Sequence, residues 1–496
     1  MTSDGKATLV ATSNTVLAIK NSAFAFLAIT TQLLGSTVVF LVIARMEAIS
    51  ISDFGRLTYA FALAQLIVIV FEYGLVPYFS KEIASRKATD HHLERAGYGL
   101  HLSLMLIGIV FYQAIVWYMS LDPVSQSVCQ WIGASVFVSS SARFFYAYYQ
   151  GYEKHHIELY STISEVLIQI VVITSLFFLA TDIQTVAKYY FFGRLISWCL
   201  AYLIYGMTVS WLVPAIQADF WQRTLIAALP FNLTFITAFA ITSIDTLMLQ
   251  ALASDNAEYQ VGLYQAAIKL VLIPTILATV VTRVFLPQLA RIGQLKSENT
   301  QTHLQYLNNI LLNIGVLAGL FFYFRAENLT VLAYGQPYRD AAELVALLAI
   351  TLSLRFGAAY NLYFTLRDMV WLRVLFAIVA LTTLITANYL LIPTYGALGA
   401  VYASVVTHLV YWIPILVAMR FFEGQALLGW RWLYTLSIAG GYATFLYLSQ
   451  TLSIWLVSIL SVPFTVAVLA YSLPKDTREG LLRSITGAAA SKPTSL

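Results

Sequence analysis

From Ser22 to Leu473 the chain is a succession of apolar runs, and this fixes what it can become. A helix that crosses the hydrocarbon of a bilayer needs about 20 apolar residues. The runs fall at about 22–44, 55–80, 96–119, 129–150, 158–180, 185–209, 223–252, 262–288, 305–327, 341–366, 368–391, 397–419, 432–450 and 453–473, which makes about 14 helices. Lipid offers the backbone no hydrogen-bond partners, so the Pro and Gly residues inside the runs (Pro230, Pro274, Gly396, Gly399) are read as tolerated kinks. The expected fold class is an all-α integral membrane protein.

Composition agrees and leaves no room for a large soluble domain. Of the 496 residues, 59% are hydrophobic and 10% charged, against about 25% charged in soluble domains. Met1–Lys20 is polar and the apolar run after it is too long for a cleavable leader, so none is expected. The basic residues are unevenly shared. Eighteen of the 28 Lys and Arg fall at the N-terminus or in loops after even-numbered helices, five fall on the other side, and five lie within spans. The positive-inside rule then places both termini in the cytoplasm. The expected organisation is a cytoplasmic segment at 1–21, six-helix bundles at 22–209 and 223–420, helices 13 and 14 at 431–473, and a cytoplasmic tail at 474–496.

Two segments inside the apolar runs repeat each other. Ser141-Ala-Arg143-Phe144-Phe-Tyr-Ala147-Tyr148 matches Ser353-Leu-Arg355-Phe356-Gly-Ala-Ala359-Tyr360 at Ser, Arg, Phe, Ala and Tyr, 212 residues apart. The arginines fall in expected helices 4 and 10. An even number of helices separates them, so the two halves run parallel. A weaker echo links Phe54-Gly55-Arg-Leu-Thr-Tyr59-Ala to Val261-Gly262-Leu-Tyr264-Gln-Ala, at the starts of helices 2 and 8.

The charges inside the spans are Arg143, Arg194, Lys269, Arg283 and Arg355 against Glu72, Glu165 and Asp245. An Arg at a helix centre costs about 2.5–3.5 kcal/mol even on the gentlest insertion scale, so each calls for a partner or a wet cavity. Counting along the helices puts Arg143 and Arg355 near the midplane. It puts Glu72, Glu165 and Arg283 deeper toward the cytoplasm, and Arg194, Asp245 and Lys269 nearer the outside. Internal pairing is the plain reading: Asp245 with Lys269, Glu72 or Glu165 with Arg143, and Arg283 snorkelling to the surface. The surplus of cations favours a second reading for Arg143 and Arg355, contact with an anionic substrate. Arg stays charged and binds phosphate bidentately.

Other chemistries lack their residues. No GxxxxGK[ST] loop occurs, so transport is not expected to run on this chain's own ATP hydrolysis. Cys129 and Cys199 read as small buried hydrophobes. The His91-His92 and His155-His156 pairs fall in polar loops without metal-site spacing, so no metal and no cofactor is expected. Tyr146, Tyr148, Tyr149, Tyr152 and Tyr160, with Tyr189, Tyr190, Tyr202 and Tyr205, read either as interfacial belts or as a path on which sugar rings stack.

Phe54-Gly-Arg-Leu-Thr-Tyr59, Phe71-Glu-Tyr-Gly74, Tyr149-Gln-Gly-Tyr-Glu-Lys154, Ile244-Asp-Thr-Leu-Met248 and Val261-Gly-Leu-Tyr264-Gln-Ala-Ala267 carry a resemblance. Together with the helix count they look like the Wzx-type polysaccharide flippases of the multidrug/oligosaccharidyl-lipid/polysaccharide exporter superfamily. The resemblance covers about residues 15–475. It implies a V-shaped pair of six-helix bundles around a central cationic cavity, with two extra C-terminal helices. It implies translocation of an undecaprenyl-pyrophosphate-linked oligosaccharide (O-antigen, capsule or exopolysaccharide) across the bacterial inner membrane by alternating access, coupled to protons or sodium. It implies that charged residues in helices 2, 4, 7, 8 and 10 matter, where Glu72, Arg143, Asp245, Lys269 and Arg355 stand. With Arg194 and Glu165 added from the charges within spans, Arg143, Arg355, Lys269 and Arg194 are candidates for the substrate cavity and Asp245, Glu72 and Glu165 for ion coupling. Expected partners are the lipid-linked oligosaccharide, a polysaccharide polymerase and a chain-length regulator, with no nucleic acid and with action as a monomer.

Three rival classes are weighed. A multidrug extruder of the same superfamily would carry an acid in helix 1, and Ser22–Ala44 has no charge. A lipid II flippase would carry an Arg early in that helix. A membrane-embedded transferase or polymerase would need a large external loop, and the largest expected here is only about Asn328–Asp340.

Overall fold

The computed structural model describes residues 3–85, 91–177, 179, 181–276, 298–356, 370–423 and 431–472. These residues are almost wholly helical, and no strand occurs among them. The helices are α1 (Ser3–Ala44), α2 (Ile51–Glu72), α3 (Leu75–Ser85), α4 (His91–Tyr118), α5 (Pro123–Gly151), α6 (His155–Phe177), α7 (Ile183–Thr208), α8 (Ala218–Leu252), α9 (Ala257–Leu272), α10 (Glu298–Phe324), α11 (Ala326–Tyr334), α12 (Ala341–Phe356), α13 (Val370–Tyr395), α14 (Ala397–Glu423), α15 (Arg431–Leu448) and α16 (Ile454–Ser472). Among the described residues seven spans are long and apolar enough to cross a membrane, or nine if each sharply bent pair counts as one. Arg283 and the second half of the Arg355 repeat, Gly357–Tyr360, lie outside the described residues.

Local chemistry sets the helix ends. Ser50 caps α2 in a reciprocal box: its hydroxyl accepts from the Asp53 N–H at 3.1 Å, and its own N–H donates to Asp53 Oδ2 at 3.2 Å. Asp122 caps α5 by accepting from the Ser125 N–H at 3.1 Å, and Pro123 follows it at the position where a missing N–H costs nothing. The run expected as one helix at 55–80 is broken between α2 and α3. Tyr73 (φ 54°) and Gly74 (φ 65°) both sit in the left-handed region. A Cβ on Gly74 would lie 2.7 Å from the backbone N of Asn232, so α8 can approach the break only because residue 74 has no side chain.

The chain groups into two compact units. The first comprises Met1–Lys269, Ala333–Ala341 and Ala377–Ser404. At its heart is α5, which packs against α2, α3, α4, α6 and α7. From Ser140 to Tyr149 every residue of α5 except Arg143 is buried. The sequence places a polar Ser-Ser-Ser-Ala-Arg stretch in mid-membrane, and the fold answers by surrounding it with protein. The tyrosines expected at a belt or along a sugar path divide accordingly. Tyr148, Tyr149 and Tyr205 are fully buried in an aromatic core with Phe79, Phe144 and Phe145, whereas Tyr160 and Tyr189 are exposed. For the buried three, core packing replaces both earlier readings.

The second unit comprises Leu270–Leu332, Ala342–Phe376 and Val405–Leu496. In it the α15–α16 hairpin packs on α10 through Leu317, Tyr442, Leu446 and Val457. The chain bends by 78° between α10 and α11. At the bend stands Arg325, 1% exposed, one of the five basic residues counted on the outer side. Its guanidinium donates to the Gln450 carbonyl at 3.1 Å, to Ser449 Oγ at 2.9 Å and to the Ser449 carbonyl. Those carbonyls follow the C-terminus of α15, where a helix presents partial negative charge.

Candidate functional site

The described intramembrane charges fall into four local settings within the first unit, and Arg355 makes a fifth in the second. Arg143, the one residue of Ser140–Tyr149 that is not buried, faces Glu72 at the last turn of α2. Arg143 Nη2 and Glu72 Oε2 are 3.6 Å apart, with the side chains 26% and 17% exposed. That separation exceeds hydrogen-bond range, so the pair is a loose one. Of the two acids sequence reasoning offered Arg143, the fold selects Glu72. It does so by ending α2 there, at the Tyr73–Gly74 break. Next to Arg143, Phe144 stacks on His101 of α4 at 4.3 Å between ring centroids.

Glu165 goes elsewhere. It forms a tight ion pair with Arg194 of α7. Glu165 Oε2 accepts from the Tyr146 hydroxyl at 2.9 Å, and Arg194 Nη2 donates to the Tyr190 hydroxyl at 2.8 Å. The side chains are 16% (Arg194) and 8% (Glu165) exposed. This corrects the depth estimate that set Arg194 outward and Glu165 inward, because contact requires a common level. Counting from helix ends fails when α6 and α7 begin and end at different heights.

Asp245 and Lys269 also part company. Asp245, 3% exposed, accepts from Tyr264 Oη at 2.6 Å and from Asn388 Nδ2 at 2.7 Å. One rung further along α8, Thr246 Oγ1 accepts from Gln265 of α9. Lys269, five residues beyond Tyr264 toward the end of α9, sets its ammonium 3.6 Å from the centre of the Phe40 ring. The acid is thus held by neutral donors and the cation by an aromatic face. Sequence reasoning scanned for charges and so passed over Tyr264 and Asn388. The signal for Asn388 was available, since it is the one carboxamide in α13.

In the second unit Arg355 lies in the last turn of α12 and donates from Nε to Thr351 Oγ1 at 3.1 Å. The repeat is visible in its packing. Phe144 and Phe356, the residues after the two arginines, are both fully buried, and Ser141 and Ser353 each donate to a carbonyl of the preceding turn. Among the described residues no cluster of His, Cys, Asp and Glu has the geometry of a metal site.

Comparison with known proteins fits these features. Residues 18–293, more than half of the chain, match the family model described as polysaccharide biosynthesis protein. No curated protein sequence matches the chain. Among solved structures, the lipid II flippase MurJ in an inward closed conformation aligns with a TM-score of 0.69 at 12% identity, covering 94% of this chain and 99% of that one. An inward-facing multidrug resistance MATE transporter of the MOP superfamily aligns with a TM-score of 0.63 at 15% identity, covering 80% and 99%. A MOP superfamily transporter from Pyrococcus furiosus aligns with a TM-score of 0.54 at 15% identity, covering 82% and 96%. Likeness at such identities speaks for the fold, which is that of the MOP transporters. With that fold, its apolar spans and a family match over most of the first unit, the chain is a multi-pass membrane protein and belongs to the polysaccharide biosynthesis protein family.

Proposed function

We propose that this protein is a Wzx-type flippase. It moves an undecaprenyl-pyrophosphate-linked oligosaccharide, the repeat unit of an O-antigen, capsule or exopolysaccharide, across the bacterial inner membrane by ion-coupled alternating access. In this reading both termini face the cytoplasm, and the uneven distribution of Lys and Arg supports that orientation. The observation that carries the reading is the loose Arg143–Glu72 pair at a helix break. A carboxylate 3.6 Å away uses little of what a guanidinium offers. A diphosphate can take the same guanidinium through two parallel N–H···O bonds and displace Glu72 from it. Binding of the lipid carrier would then release an acid at the junction of α2 and α3. Arg355, in the matching segment, is proposed to meet the same anionic group during the cycle.

The other candidates take narrower roles. Lys269 adds positive charge for the substrate. Asp245 is the proposed coupling group: it is a buried carboxylate held by Tyr264 and Asn388, and a cation or proton arriving there changes the charge of the site. Arg194 and Glu165 satisfy each other, so we assign them to holding α6 against α7.

The test is a deletion strain complemented with variants, followed by its lipid-linked glycans and by the amount of protein in the membrane. Arg143→Ala should lose export at normal abundance, with lipid-linked repeat units accumulating on the inner leaflet, and Arg143→Lys should restore only part. Export at the parent level by the Arg143→Ala, Arg355→Ala double variant would end the reading. A second reading, translocation of lipid II, draws on the likeness to the MurJ fold. In that case the deletion strain would accumulate lipid II and leave the oligosaccharide carriers unchanged.

A further inference from the structure

The weaker of the two internal echoes marks a helix crossing. Gly55 stands one turn into α2 and Gly262 stands early in α9. A Cβ built on Gly55 would lie 1.8 Å from the Glu258 carbonyl oxygen and 3.0 Å from the Gly262 nitrogen. A Cβ built on Gly262 would lie 2.2 Å from the Ile51 carbonyl oxygen. Glu258 precedes Gly262 by four residues, and Ile51 precedes Gly55 by four. Each glycine therefore meets the carbonyl one turn before its counterpart, as in a self-complementary contact about a two-fold axis. The atoms in the way are backbone, which cannot rotate aside.

Aromatic side chains close the space beside the crossing. Phe54, fully buried, meets Tyr338 edge-on at 5.9 Å and Tyr334 at 6.3 Å, and those two tyrosines lie 5.2 Å apart. Polar contacts tie the same end together. Arg45 Nε donates to the Ala333 carbonyl at 2.8 Å, Tyr259 Oη to Asp340 Oδ2 at 3.1 Å, and the Ala397 N–H to Gln260 Oε1 at 2.7 Å. The starts of α2, α9, α12 and α14 share the side that the charge bias assigns to the outside.

We infer that the reciprocal crossing of α2 and α9 at Gly55 and Gly262, filled by Phe54, Tyr334 and Tyr338, is the closed outer gate of the transport path. The two glycines form its latch. The inference rests on the alternating-access reading, not on the substrate assigned to it. In the closed state the helices touch backbone to backbone, so nothing passes between them. Opening to the outside parts this crossing.

The experiment uses the full chain with Cys129 and Cys199 replaced by Ala. Cysteines are introduced at Ala48 and Ser254, two exposed positions in the loops that lead into α2 and α9. Spin-label distances between them, measured in lipid nanodiscs without substrate, should show a short population in the parent. Gly262→Ala should shift it, with about a tenfold or greater fall in the ratio of closed to open, because a methyl group is forced into a packed contact. Gly440→Ala, where a Cβ meets nothing within 4 Å, is the control and should leave the distances unchanged. In a second arm both glycines stay in place. Bridging the two cysteines with a reducible cross-linker should abolish polysaccharide export, and reductant should restore it. An unshifted distance in folded Gly262→Ala, or export through the fully cross-linked protein, overturns the gate. A deletion strain without any glycolipid phenotype would instead overturn the substrate, and the distance arm would still decide the gate.

Discussion

Removing Arg194 separates a holding role from a transport role for the most buried ion pair in the N-terminal half. Arg194→Ala takes away the guanidinium bound to Glu165 and to the Tyr190 hydroxyl. Glu165 is then left with the Tyr146 hydroxyl in a site only 8% open to solvent. Breaking a buried pair on one side costs about 3–5 kcal/mol, because it strands a charge. Glu165→Gln strands the other charge at similar cost. In the double variant Arg194→Met, Glu165→Leu no charge remains, and only the Tyr146 and Tyr190 hydroxyls lose a partner, at about 1–3 kcal/mol each at most. The double variant should therefore cost less than the sum of Arg194→Met and Glu165→Leu made singly, with a coupling in the roughly 0.5–3 kcal/mol range of contacting residues. In purified protein the single variants should melt about 6–20 °C lower, taking roughly 2–4 °C per kcal/mol from larger domains. The assay is melting followed by size-exclusion chromatography in detergent, with membrane abundance and polysaccharide export measured beside it. An Arg194→Ala protein that melts like the parent and is equally abundant, yet fails in export, would refute the assignment and return Arg194 to the substrate path.

Other outcomes follow from the same contacts. The charge exchange Asp245→Lys with Lys269→Asp should not rescue either single variant in export, since the two side chains have different partners; full rescue would show that they pair. Tyr264→Phe and Asn388→Leu should each lower export several-fold at near-normal abundance if Asp245 couples the ion, and export unchanged in both would remove that role. Gly74→Ala should cost about 1–3 kcal/mol, read as a lower melting temperature, because it needs both a left-handed backbone and space held by Asn232. A reporter active only outside the cytoplasm, fused after Ser472, should stay silent; a strong signal would place the C-terminus on the other side.

The sequence was most legible where lipid is the strict judge. Apolar run length located the long helices, because a bilayer accepts few alternatives to helix, and it did not separate the short helices α3 and α11 from their neighbours. It also picked out Arg143, Arg194, Lys269, Asp245, Glu72 and Glu165 as residues that need an answer. Which residue answers which was not legible. Glu165 and Arg194 are 29 positions apart and Asp245 and Asn388 are 143 apart. Apolar periodicity says which helices exist and leaves open which are neighbours. The break after Glu72 was hidden for a related reason: Tyr73 and Gly74 interrupt the helix without interrupting the apolar run. The burial of Arg325 was not legible because a sharp bend and a loop look alike in hydropathy, and only the fold shows the guanidinium enclosed. The Gly55 and Gly262 echo was legible as a pattern, and its meaning came from the space between two backbones.

Arg325 ties together two parts of the chain that might otherwise have separate histories. It stands at the sharpest bend of the second unit and spends its hydrogen bonds on the end of α15. A descendant that lost α15 and α16 would uncover a guanidinium with no carbonyls to meet, at a bend whose angle it helps to set. Loss of the hairpin and loss of the arginine should therefore be inherited together. Among relatives that end before such a hairpin, the position of Arg325 should hold an uncharged residue. Where the hairpin is kept, the cation should be kept with it, however far the lipid-facing residues of α15 and α16 drift.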